Sequence, residues 1–78
     1  MSAELIPRIN KVFSSVFGRK VAFDPALDRA SEPRWTSLKH VEFIIALEVE
    51  FGVRFDGADA TDMTSIRVVA DRVAQRLS

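Results

Sequence analysis

The stretch from Ser37 to Phe51 constrains the fold more than any other part of the chain, because it carries apolar residues on two sides of a helix. Winding at about 100° per residue places Phe43, Ile44, Leu47 and Phe51 on one arc, with His40 among them. Leu38, Val41, Ile45 and Val49 fall on a second arc, bordered by Glu42 and Glu48. Lys39, Ala46 and Glu50 make a narrow polar strip between them. In a chain of 78 residues a helix can rarely bury both arcs. One arc is therefore predicted to be core, and the other is a candidate docking surface, for an enzyme or for a second copy.

Two further segments share the helical period. Leu5, Ile9, Val12 and Val16, with Ile6, Phe13 and Phe17 beside them, predict a first helix over most of 3–17. Pro7 is tolerated only in a first turn, which puts the start near Ile6, and Gly18 supplies the stop. Ile66, Val69, Ala70, Val73 and Leu77 stripe a last helix over 66–77, capped by Ser65 or Thr64. Residues 58–63 have room for one short helix after the Asp56-Gly57 turn. Residues 19–36 have no sustained period and read as a long loop, pinned to the core by Val21, Phe23, Leu27 and Trp35. Asp24-Pro25 looks like an N-cap followed by proline at a first helical position, which predicts one short turn within it.

The sum is an all-α fold. It is a small antiparallel helical bundle of three main helices plus a short helix before the last, with a long loop between helices 1 and 2. The chain contains no cysteine, so neither disulfides nor thiolate-bound metals help to hold it, and the core must come from the helical faces. Eleven basic residues offset eleven acidic ones, which argues against a nucleic-acid partner that would need a cationic surplus. No apolar run is long enough to span a bilayer, and no signal-peptide core opens the chain, so no membrane insertion and a cytoplasmic location are expected.

From Trp35-Thr36-Ser37-Leu38 to Gly52-Val53 the sequence resembles the central helix of the acyl carrier protein family. That family's pattern is Asp-Ser-Leu, followed by an apolar helix ending in Ala-Leu-Glu-x-Glu-Phe. Ser37-Leu38 matches its start and Ala46 to Phe51 its end, and Met63-Thr64-Ser65-Ile66 resembles the lead-in to the family's final helix. The resemblance covers essentially the whole chain in length and helix order.

It implies a single domain over 1–78, a stand-alone carrier and not an enzyme, of the kind used in fatty acid or polyketide biosynthesis. Ser37 would be the attachment point of a covalent 4'-phosphopantetheine arm holding an acyl or related group as a thioester. Leu38, Val41, Glu42, Ile45 and Glu48 match partner-docking positions. The implied partners are a phosphopantetheinyl transferase and acyl-loading, elongating or transferring enzymes, met by a monomer that holds no metal.

Three departures bear on that expectation. Thr36 stands where the family has aspartate: it can cap a helix, but it cannot offer a carboxylate to a transferase or its magnesium. The charge is balanced where many members are acidic, and Lys39 is basic where many carry an acidic or small residue. Thr36 keeps open a second expectation, an unmodified carrier-like interaction module.

Other residues admit two readings each. Without the family pattern Ser37 is simply a helix-capping serine. His40, one turn further on, is either a packing histidine or a base for Ser37. Asp56, Asp59 and Asp62 suit turns and helix caps better than a cation, since the longer calcium-loop ligand set is missing. Trp35 is either a core pin or an exposed aromatic beside the serine.

Overall fold

In the computed structural model, which describes residues 5–19 and 21–78, the first helix, α1, is Leu5–Phe17. Leu5, Ile9, Val12, Phe13 and Phe17 form its buried face. Pro7 sits in the first turn, where no backbone donor is required of it. The chain leaves the helix through Gly18 at φ 73°, a left-handed conformation that glycine adopts without steric cost. The earliest residues of the predicted helix, Ala3 and Glu4, lie outside the described residues.

The second helix, α2, is Ser37–Phe51. The Thr36 hydroxyl accepts from the Lys39 N–H at 3.2 Å, and Gly52 closes the helix at φ 65°. Thr36, and not Ser37, is thus the cap. Its buried residues are His40, Phe43, Ile44, Leu47 and Phe51, the first predicted arc. Contacts at both ends set its direction against α1. Near the start of α1, Arg8 donates to the Glu50 carbonyl at 3.0 Å and covers the Phe51 ring at 4.4 Å. Near its end, the Lys39 ammonium donates to the Val16 carbonyl at 3.1 Å. The two helices are therefore antiparallel, and the polar strip of α2 borders α1. Lys39 also brings positive charge to the C-terminal end of α1, whose own last turn holds no basic residue.

An aromatic cluster fills the space between them. The Phe13 ring lies 4.2 Å from Phe17, 5.5 Å from Phe23, 5.6 Å from Phe43 and 6.2 Å from Trp35, mostly edge to face. Such pairs contribute about 0.5–1.5 kcal/mol each beyond the area they bury. Trp35 is only 2% exposed, so it is a pin of the long loop. Val21 is buried as well, and Phe23 and Leu27 pack against the same core.

The short turn expected at Asp24-Pro25 is present. The Asp24 side chain accepts from Ala26 N–H and its carbonyl from Leu27 N–H, which makes a turn and no helix. A helical turn comes later: a single 3-10 turn, Arg29–Ser31, is capped by Asp28, whose carboxylate accepts from Ser31 N–H at 2.8 Å. The loop is then tied across the bundle. Arg29 N–H donates to the Thr64 carbonyl at 2.7 Å and Ile66 N–H to the Leu27 carbonyl at 2.9 Å, pairing Asp28 with Ser65 as an isolated antiparallel bridge.

The short helix, α3, is Gly57–Asp62, one residue ahead of the predicted span. Asp56 caps it and Asp59 reciprocates, each carboxylate accepting from the other's backbone N–H. The last helix, α4, is Ile66–Leu77, with Ser65 as its cap. Ile66, Val69, Ala70 and Val73 are buried, but Leu77 is 50% exposed. The predicted stripe thus ends one turn early, at the tip of the helix. The Cα radius of gyration, 11.3 Å, matches the roughly 11.5 Å expected of this length packed as one unit. Among the described residues no helix is long and apolar enough to cross a membrane.

Candidate modification site at the start of α2

Ser37 is the first residue of α2 and is exposed. At that position the N–H groups of Ser37 and Leu38 have no intrahelical acceptor, and the helix end carries partial positive charge. The Thr36 hydroxyl and carbonyl take the next two, from Lys39 and His40.

A residue the sequence did not single out completes the site. Arg29, in the 3-10 turn of the loop, donates through Nη2 to Ser37 Oγ at 2.9 Å and through Nε to the Trp35 carbonyl at 3.0 Å. Its guanidinium is held at one end and presented to the serine at the other. No periodicity or motif marks Arg29; it arrives because the loop docks on Thr64 and Ile66. Arg29, Ser37, His40, Val41, Ala60 and Thr61 line an open cleft of about 300 Å³ between the start of α2 and α3.

His40 has a structural assignment. Trp35 Nε1–H can only donate, so His40 Nδ1, 3.0 Å away, is its acceptor. The ring proton is then on Nε2, which donates to the Ala60 carbonyl at 2.7 Å. His40 links the loop, α2 and α3, and both ring nitrogens are engaged away from Ser37.

The second arc of α2 remains uncovered. Leu38 is 68% exposed, Val41 53%, Ile45 54% and Val49 79%. Glu42 borders them, exposed and 3.3 Å from the Lys39 ammonium. Glu48 differs from the other docking candidates. It is half-buried, and its carboxylate accepts from the Phe55 N–H at 2.8 Å, so it fastens the turn after α2.

The three aspartates of the short helix face arginines of α4. Arg76 pairs with Asp59 and lies 3.9 Å from Asp56; Arg72 bridges Asp59 at 3.3 Å and Asp62 at 2.9 Å. The Arg76 hydrogen bond, helped by the Asp56 N–H and the Arg72 charge, holds the Asp59 carboxyl below its ordinary value of 3.8 against the opposing effect of burial. The same contact raises Arg76 above its ordinary range. Among the described residues no group of three or more histidine, aspartate or glutamate side chains is arranged to hold a metal ion.

No protein-family model matches the chain, and no curated protein matches it either.

Proposed function

We propose that this chain is a carrier domain of the acyl carrier type, with Ser37 the attachment point for 4'-phosphopantetheine. One observation carries the reading: an exposed serine hydroxyl at the first residue of α2, facing a guanidinium, on a helix whose apolar flank Leu38, Val41, Ile45 and Val49 is left uncovered. The resemblance of 35–53 to the family's central helix agrees with it.

The residues present suit a phosphodiester. Ser37 Oγ is accessible, its polar partner is a cation, and the helix end behind it favours negative charge. When attached, the group supplies a terminal thiol that holds acyl cargo as a thioester. This chain's part is to present the arm and to be recognised. Leu38, Val41 and Ile45 offer an apolar strip to enzymes that load or unload the thiol, with Glu42 adding a charged margin. Ser37 needs no base of its own, since the transferase that modifies it supplies the deprotonation.

Thr36 favours a second reading, a carrier-like interaction module that is never modified. The threonine reproduces the cap but brings no carboxylate to the transferase. Intact-protein mass spectrometry separates the two. The protein is incubated with coenzyme A, magnesium and a broad-specificity phosphopantetheinyl transferase, beside Ser37→Ala. The expected result is a gain of one phosphopantetheinyl group in the native chain alone. An unchanged mass with that enzyme and with the transferases of the native host would transfer the assignment to the unmodified module.

A further inference from the structure

We infer that Arg29 is the positioning residue for the phosphodiester on Ser37, its guanidinium supplying the cation that holds that anion in place. The inference rests on the carrier reading and adds to it a residue from outside the helix that bears the serine.

The geometry is specific. A 2.9 Å bond from Nη2 to Ser37 Oγ places the guanidinium within one further bond of any oxygen carried on a phosphorus attached there. Arginine presents its donors in a planar fork suited to phosphate, and the fork here is aimed in advance. The Nε–Trp35 carbonyl bond fixes one edge, and the Asp28-capped turn and the Arg29 N–H to Thr64 bond fix the backbone beneath it. Little side-chain freedom is left to lose when an anion arrives.

The surrounding charge agrees. Asp28, the acid adjacent in sequence, turns its carboxylate to Ser31 N–H, and Lys39 turns its ammonium to Val16 and Glu42. Arg29 is the cation bonded to the hydroxyl. In the unmodified chain it therefore donates to a neutral oxygen; after attachment it meets a negative one, and the bond strengthens. The modified protein should be more stable than the unmodified one, by an increment that depends on Arg29.

Thermal unfolding of both forms tests this, with modification scored by intact mass. In the native chain the midpoint is expected to rise on modification by about 3 °C, the scale of a modest ionic gain in a domain this size, and the rise should shrink in about 1 M salt. In Arg29→Gln, which keeps a donor but loses the charge, at least half of the rise should disappear; Arg29→Lys should keep more of it. A purely structural Arg29 would lower both forms equally and leave their difference unchanged, which overturns the inference while the carrier reading stands. No mass gain in the native chain overturns both. If Arg29→Gln proves too unstable to melt cooperatively, the ³¹P resonance of the modified Arg29→Lys protein decides: a shift from the native position is expected, and an identical resonance counts against any contact with Arg29.

Discussion

Single side chains in this protein are committed to partners that their position in sequence does not announce. Asp59 shows the consequence best. Its folded-state pKa lies below the ordinary 3.8, chiefly through the Arg76 hydrogen bond. A carboxyl depressed on folding contributes stability that is fully present above its unfolded value, and that stability is lost as pH falls through the folded value. Asp59→Asn should retain the capping hydrogen bonds but lose the ion pairs. It is expected to be less stable than the native chain at pH 7 and to match it more closely below pH 3.8, where the native carboxyl also protonates. Urea unfolding across that range measures both limbs, and parallel curves would show that the pairs with Arg72 and Arg76 contribute nothing. His40 and Trp35 are bound in the same manner, each satisfying the other's buried polar atom, and the Ala60 carbonyl completes the set by accepting from His40 Nε2.

At the level of the helix, α2 divides its residues cleanly between two tasks. Leu47 is fully buried, whereas Val41 and Ile45, a turn apart on the other arc, stand more than half exposed. Leu47→Ala is accordingly expected to cost about 2–5 kcal/mol, with an added penalty for the cavity it leaves. Val41→Arg and Ile45→Arg should stay within about 0.5 kcal/mol of the native chain. In the same two variants, modification of Ser37 by the transferase should slow, because the apolar strip beside the serine is interrupted. Denaturant titration and a timed mass assay check the pair; unfolding of both arginine variants would place the arc in the core and remove the docking argument. The sequence read this helix well because amphipathic geometry is local: burial follows from angle about the axis once one face is packed.

Across the whole molecule, the long loop is what turns three helices into a site. Two backbone hydrogen bonds join 27–29 to 64–66, and they hold Arg29 where it reaches Ser37. Backbone amides in an undocked loop exchange quickly with solvent. The Arg29 and Ile66 amides are instead expected to exchange no faster than those in the last turn of α2, measured by hydrogen–deuterium exchange with NMR. Rapid exchange at both would mean that the loop is not docked and that Arg29 is not held at the serine.

The sequence by itself determined the helices, the two apolar arcs of α2, the narrow choice of capping residues before α2 and α4, and the place of Ser37 at a helix start. Each of these depends on residues within a few positions of one another, linked by the helical period or by a cap hydrogen bond. Leu77 continues the apolar period to the end of α4 but is half exposed, a burial the period alone does not fix. The short turn at Asp24-Pro25 was legible because the Asp24 side chain bonds the backbone only two residues on. Only the tertiary structure decided that Glu48 fastens Phe55, that Lys39 serves the end of α1, that the three aspartates face Arg72 and Arg76, and that Arg29 meets Ser37. Those contacts join elements distant in sequence, and a polar side chain on a loop or helix surface has no period to give its partner away. Long-range packing selects that partner, and packing is a property of the assembled bundle.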